Sequence, residues 1–345
     1  MRAYLDAGGD PDLSSQADNT LLMEASHYKQ VAISRLLLQS GADPNAHNHS
    51  FHTPLTFALK KPSTLPPVVM TPAGAVGFPA MPDEARDRSA MVAQVHLLIE
   101  FGADINPSIP IDEVTLRTRD GFKTPLQQAI EIGDLTLVQW LLSHGANIDG
   151  GDANGTTPLA TAVREGQIRL AQLLIEAGAS PHLRDLHGQT PLHRLLARLR
   201  DDLGAFRYQS TRRGPPPSRT APTRLVALWT ALMRQLVEAG ADPNAVDVNG
   251  DSVLDLALTT GSPKVVEPLI ALGADPKALH RNGDTALHRV AAASNLHEHE
   301  TLEIARLLVT AGLSAQLTNR SHQTASALAL AAGREELARW LDLQP

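Results

Sequence analysis

Residues 157–189 read TPLATAVREGQIRLAQLLIEAGASPHLRDLHGQ, and Thr190-Pro-Leu-His then begins the same pattern again. Thr157 can cap a helix with its hydroxyl, and a proline next to it suits the first helical turn. The small residues that follow let this inner helix lie close to its neighbours. Leu173 and Leu174 give a second helix its apolar side. Gly178 can take the left-handed conformation that ends that helix. The polar run to Thr190 has the composition of a tight hairpin-like finger. One unit of helix, turn, helix and finger therefore occupies 33 residues.

The unit recurs in both directions. Its closing segment returns as LLLQSGADPN (36–45), LLIEFGADIN (97–106), LLSHGANID (141–149), LVEAGADPN (236–244) and LIALGADPK (269–277), with weaker copies at 4–12 and 307–315. The glycines are Gly8, Gly41, Gly102, Gly145, Gly178, Gly240, Gly273 and Gly312. They are spaced by 33, 61, 43, 33, 62, 33 and 39, or periods of 33 with excesses of 28, 10, 29 and 6. Starts fall at Thr20, Thr53, Thr124, Thr157, Thr190, Ser252, Thr285 and Thr324. Start to glycine is 21 residues in the four undisturbed cases, and glycine to next start is 12 everywhere except after Gly102, where it is 22. Two markers with one period predict a repeat protein.

A 33-residue period carrying TPLH and LLxxGADxN resembles the ankyrin repeat, over nearly the whole chain. The resemblance implies an all-α solenoid of about eight helix-turn-helix repeats with β-hairpin-like fingers, in a single domain spanning 1–345. A partial repeat occupies 1–19, full repeats start near 20, 53, 124, 157, 190, 252 and 285, and a capping repeat fills 324–345. The histidine of TPLH survives only at His193 and His288, where it is expected to hydrogen-bond between repeats. Ser252-Val253-Leu254 and Thr324-Ala325-Ser326 lack the proline. REELARWLDLQP, with a charged face and Trp340, suits a terminal cap. Met1–Ala7 supply only the last turn of an outer helix. The chain is thus expected to begin inside a repeat, through truncation or processing or with that edge covered.

The excess residues form four expected insertions: about 61–89, 107–118, 199–224 and 293–299. The first holds six prolines with Val68, Val69, Met70, Phe78 and Met81. The second of the long ones reads as a basic arm: Thr190–Arg224 carries eight Arg and two Asp, or +6, which leaves −13 elsewhere. Phe206 and Tyr208 lie among those arginines. The 107–118 insertion alternates as Val114-Thr115-Leu116-Arg117-Thr118 and is expected to form a β-hairpin.

Composition narrows the function. The chain is 43% hydrophobic but only 3% aromatic, so Leu and Ala must carry the packing, which favours helices. No cysteine is present, which excludes disulfide frameworks, cysteine zinc sites, iron–sulfur clusters and a cysteine nucleophile. A net charge of −7 argues against a general nucleic-acid binder. No apolar run reaches the ~18 residues that a membrane span needs. The N-terminus lacks the apolar core of a signal peptide, so a cytoplasmic location is expected, or a periplasmic or secreted one if a leader has been removed. The 24 Arg against 6 Lys, with abundant Ala, point to a GC-rich, bacterial coding genome.

No phosphate-loop, HExxH, GxSxG or GxGxxG motif occurs. Two histidine clusters could offer metal ligands: His47, His49 and His52, and His297-Glu298-His299-Glu300. Finger tips commonly carry polar turn formers, and neighbours on a loop do not converge on one ion, so neither metal nor cofactor is expected.

The resemblance implies a non-enzymatic scaffold, monomeric or in a hetero-complex, that binds another protein. Carried over position by position, its contact residues are His49, His52, Lys60, Lys61, Lys123, Glu131, Asn154, Arg164, Glu165, His187 and Arg198. The insertions add Phe78, Phe206, Tyr208, Arg212 and Arg213. A sharper expectation is a bacterial immunity or antitoxin-type protein that neutralises a cognate effector or toxin enzyme. The alternative is a secreted bacterial effector that binds eukaryotic host proteins.

Overall fold

A computed structural model describes residues 1–15, 18–60, 68–71, 74–77, 84–107, 122–212, 220–293 and 296–344. The chain divides into two compact units, Met1–Pro158 and Leu159–Pro345. The first contains α1 (Arg2–Asp6), α2 (Leu21–His27), α3 (Val31–Gln39), α4 (Pro54–Leu59), α5 (Glu84–Glu100), α6 (Pro125–Ile132) and α7 (Leu135–Ser143). The second is opened by α8 (Pro158–Arg164) and continues with α9 (Ile168–Glu176), α10 (Pro191–Arg212), α11 (Thr220–Glu238), α12 (Val253–Thr259) and α13 (Pro263–Ala271). It ends with α14 (Ala286–Ala292), α15 (Glu298–Thr310), α16 (Ala325–Ala331) and α17 (Glu335–Asp342). This is an all-α ankyrin-type architecture of short antiparallel helix pairs.

Each helix pair begins where the sequence places its cap. The side chains of Thr20, Thr53, Thr124, Ser252 and Thr324 accept from the amides of Met23, Thr56, Gln127, Asp255 and Ala327 at 3.1–3.4 Å. Such a cap satisfies an amide that has no partner inside the helix. Behind it the inner helices bury Leu21, Leu22, Leu55, Leu126, Leu159, Leu192 and Leu287, with alanines between them. All eight repeat glycines have positive φ, from +79° at Gly8 to +107° at Gly240. The chain can therefore reverse after each outer helix without steric cost.

The Asp and Asn after those glycines divide the work of building a turn and joining it to the next. In the first unit Asp43 Oδ1 accepts from the Asn45 amide at 2.8 Å, closing a local turn. Asn45 then bridges to the next turn: its Nδ2 donates to the Gly102 carbonyl at 3.0 Å and its Oδ1 accepts from the Asp104 amide at 2.6 Å. Asn106 repeats this with Gly145 O at 2.8 Å and the Asn147 amide at 2.7 Å. In the second unit Asn244 does the same with Gly273 O at 2.9 Å and the Asp275 amide at 2.7 Å.

A second recurring join uses a cation from a neighbouring repeat to cover the carbonyl end of an inner helix. Lys29 Nζ donates to Lys60 O at 2.8 Å and Phe57 O at 3.4 Å at the end of α4, and to His27 O at 2.9 Å. Arg198 donates to Arg164 O at 2.8 Å at the end of α8. Arg334 donates to Val290 O at 3.0 Å and Ala291 O at 2.7 Å in α14, and to Ala293 O beyond it. These side chains meet the partial negative charge of a helix C-terminus. Buried His288 also joins repeats as expected, its Nε2 lying 2.8 Å from Gln323 O, whereas His193 Nδ1 stays local, 2.8 Å from Thr190 Oγ1.

The insertions differ from the expected loops. Within 61–89, a two-stranded antiparallel hairpin pairs β1 (Val68–Thr71) with β2 (Gly74–Gly77), with Val69 opposite Val76, and α5 begins at Glu84. The 199–224 insertion is largely helical: it lengthens α10 to 22 residues and α11 to 19, against seven to nine in most other repeat helices. Continuing a helix satisfies its own backbone groups, which an irregular arm could not do. The hairpin expected around 114–118 lies outside the described residues.

One expected surface residue is internal. His52 is 8% exposed, packed edge-on to Phe57 with ring centroids 6.0 Å apart, and His27 meets the same ring at 5.8 Å. Burial, reinforced by Lys60, lowers the His52 pKa to about 4; burial, Lys29 and Lys60 lower that of His27 to about 4. Both imidazoles are thus neutral in the folded protein at neutral pH.

Two predictions follow from these contacts. Replacing Asn106 with Ala removes both halves of one bridge and should cost about 1 kcal/mol, the usual net worth of such exposed bonds. The check is the urea midpoint at constant m-value; an unshifted midpoint would show that water replaces the bridge fully. Because the folded pKa of His52 lies below the free imidazole value of 6.5, its contribution to stability is complete above pH 6.5. It is lost as pH falls through 6.5 to about 4. The variant His52→Gln should therefore show a flatter decline of Tm over that window than the parent, and an equal decline would contradict the assignment.

Candidate partner-binding surface

The fingers are hairpins shaped by one side chain each. Asp185 Oδ1 accepts from the amides of His187 and Gln189 at 2.8 and 2.9 Å. Asp247 does the same for Asn249 and Asp251, and Asn319 for Ser321 and Gln323. Single bridges between Val246 and Ser252, and between Thr318 and Thr324, close the base.

In the second unit neighbouring fingers are also tied together. The Val248 amide donates to His187 O at 3.0 Å, Arg184 donates to Val246 O at 2.5 Å, and Arg281 donates to Val248 O at 2.6 Å. Packing there is close enough to require glycine: at Gly188, φ +71°, a Cβ would stand 3.0 Å from the Val248 nitrogen.

On these fixed fingers stands an apolar row that the residue-by-residue carry-over largely missed. Leu186 is 64% exposed and Val248 51%, each four residues before its repeat start; Val246 is 47% exposed and Leu279 66%, each six before. Exposed Arg184, Arg281 and Arg320 stand at the same finger positions. In the first unit the corresponding tips carry exposed His47, His49 and Asn154. The signal was in the sequence, as aliphatic residues at polar-turn positions.

The expected contact residues divide into three groups. His49, Asn154 and His187 are exposed as anticipated, and His49 faces Asp18 at 3.4 Å. Several charged ones are held by neighbours: Lys123 by Glu131 at 2.6 Å, Arg164 by Glu165 at 2.9 Å, and Arg198 by Asp202 at 2.9 Å. Arg198 also covers the end of α8, which makes it structural. Half-buried Lys60 lies 4.8 Å over the Phe57 ring. Phe206, Tyr208 and Arg212 lie on α10, with their side chains outside the described residues; Lys61, Phe78 and Arg213 are wholly outside them.

Neither histidine cluster converges. His47 stacks on Phe51 with centroids 5.5 Å apart, His49 turns to Asp18, and His52 is buried against Phe57. His297 and His299 stack on each other at 5.9 Å, and Glu298 accepts from the Glu336 amide at 2.8 Å. Among the described residues no three His, Asp or Glu side chains are grouped to hold a metal. No helix among them is long and apolar enough to cross a membrane.

The outer helices of the first unit hold one more cluster without a sequence signal. Trp140 lies between His96 and His144, at centroid distances of 4.1 and 3.8 Å. A groove of about 510 Å³ beside it is lined by Arg88, Val92, His96, Asp134 and Thr136. Burial pushes the Asp134 pKa up, but bonds from Arg88 at 2.9 Å and from the Leu137 and Thr136 amides outweigh it, and the carboxylate is held below its usual range. Arg88 and Asp134 thus satisfy each other.

A family model described as ankyrin repeats (3 copies) matches residues 88–185, and a single ankyrin-repeat model matches 17–49. No curated protein matches the sequence. Among solved structures, an ankyrin repeat domain from Acinetobacter baumannii is 24% identical with a TM-score of 0.50, covering 64% of this chain and 96% of its own. That likeness bears on the fold alone. The family models thus place ankyrin repeats at 17–49 and 88–185, and the caps, glycines and Asx bridges recur at the same period around them.

Proposed function

We infer that this chain acts as ankyrin repeats generally do, as a non-enzymatic protein-interaction module. We propose that this chain is such a scaffold, that it holds one protein partner against the fingers of its second unit, and that the partner is an enzyme it neutralises, in the manner of a bacterial immunity or antitoxin-type protein. The carrying observation is the row of Leu186, Val246, Val248 and Leu279 on fingers tied to one another by backbone and arginine hydrogen bonds. Exposed aliphatic side chains bordered by arginine have the composition of an interface centre with a polar rim. Fingers already fixed lose little conformational entropy on binding. The +6 of Thr190–Arg224 against −13 elsewhere supports the neutralisation reading. A basic segment on an otherwise acidic chain would steer a partner of mixed charge into one orientation.

Affinity capture from the source organism should return a stoichiometric protein. The double variant Leu186→Asp, Leu279→Asp should bind it at least about tenfold more weakly, as expected when interface anchors are replaced by charges. Recovery of no partner would end the binding reading. A partner whose activity is the same in the complex would end the neutralisation reading alone.

A further inference from the structure

We propose that the basic cluster of His27, His52 and Lys60 around Phe57 in the first unit seats a carboxylate side chain from an acidic segment of a protein partner. It rests on the reading of this chain as a protein-binding scaffold, but neither on the finger row nor on the neutralisation of an enzyme. Three observations carry it.

The first comes from comparing equivalent positions. One residue before Thr124 stands Lys123, and seven after it stands Glu131; they form an ion pair at 2.6 Å. The same two positions around Thr53 hold His52 and Lys60, which are both basic. Seven residues after Thr20, His27 adds a third basic side chain against the same aromatic ring, at 5.8 Å. The acid that balances the later repeat has no counterpart here.

The second is the state of the side chains. His52 Nδ1 is buried and has no hydrogen-bond partner. The Lys60 ammonium, half-buried over Phe57, is held below its usual pKa by burial. Among the described residues no carboxylate lies within ion-pair distance of Lys60 or His52, whereas exposed lysines cost little to leave solvated.

The third is that nearby groups are committed elsewhere. Lys29 gives its ammonium to three carbonyls, the Asn19 side chain donates to Glu24 at 2.8 Å, and Asp18 faces His49. The field at His52 is thus set by burial and by Lys60. A carboxylate placed on Lys60 would offset its charge, so binding would draw a proton toward the imidazole. An acidic segment would therefore bind more tightly as pH falls toward about 5, below which its own carboxylates take up protons, and Lys60 would be the residue through which it does so.

The test is a histidine-resolved NMR titration of the intact chain with and without hexaglutamate at low ionic strength. The His52 midpoint should rise by about one unit from its value near 4, equivalent to a tenfold preference of the peptide for the protonated form. Exposed His182 should stay where it is, and Lys60→Met, which keeps the packing stem, should abolish the rise while leaving the far-UV circular dichroism unchanged. No movement of His52 at millimolar peptide, or equal movement in Lys60→Met, overturns the proposal. An equal shift with inorganic phosphate at matched charge also overturns it, since the cluster would then take any anion rather than an acidic side chain. Capture of the partner plays no part in this readout, so its outcome is separable from that of the scaffold reading.

Discussion

The side chain of the Asn in Gly-Ala-Asp-x-Asn fixes the register between layers at Asn45, Asn106 and Asn244. A 33-residue layer is too thin to bury its own apolar face, so it must be held against a neighbour at a fixed spacing. The buried leucines supply the attraction but not the register, because apolar packing is non-directional. The amide supplies it: Asn106 accepts from one backbone amide and donates to one carbonyl of the adjoining turn, which only a side chain with both functions can do. Where the position holds another residue, as Asp149 or Lys277 does, the local turn is kept and this form of bridge is not available.

That division explains why the motif is so easy to read. Gly, Asp and Asn are each required by backbone geometry, so they recur at fixed spacing whatever the partner of the protein is. The Thr cap is legible for the same reason. The inner helices are short and bury Leu and Ala almost completely, which accounts for a large core built with few aromatics. The cations that cover helix ends are harder to find. Lys29, Arg198 and Arg334 do one job from three positions in their repeats, so no spacing announces them. Arg198 thus occupies a contact position of the repeat and also covers the end of a neighbouring helix.

The insertions were legible as excess length and not as structure. Counting residues locates 199–224, but helix continuation is decided by whether neighbouring layers can cover the added turns. Here Leu199, Leu203, Val226 and Trp229 are buried, so the two lengthened helices share a core beyond the usual repeat. His52 fails as a surface prediction for a related reason. Phe57, four residues after Thr53, offers the imidazole an aromatic edge and draws it inward.

The apolar finger row and the basic cluster at Phe57 are written in the sequence, but not in its period. Leu186, Val246, Val248 and Leu279 sit where the repeat imposes no chemistry, so nothing in the period distinguishes a binding residue from a neutral one. His52 and Lys60 sit where the next repeat places an ion pair; the sequence shows that the acid is missing, and the structure adds that His52 is buried and that Lys123 and Glu131 do pair. Function in this architecture is therefore written as departures from the repeat. An aliphatic residue on a polar turn marks a surface that water does not solvate well, and a cation without its acid marks a charge that a ligand can complete.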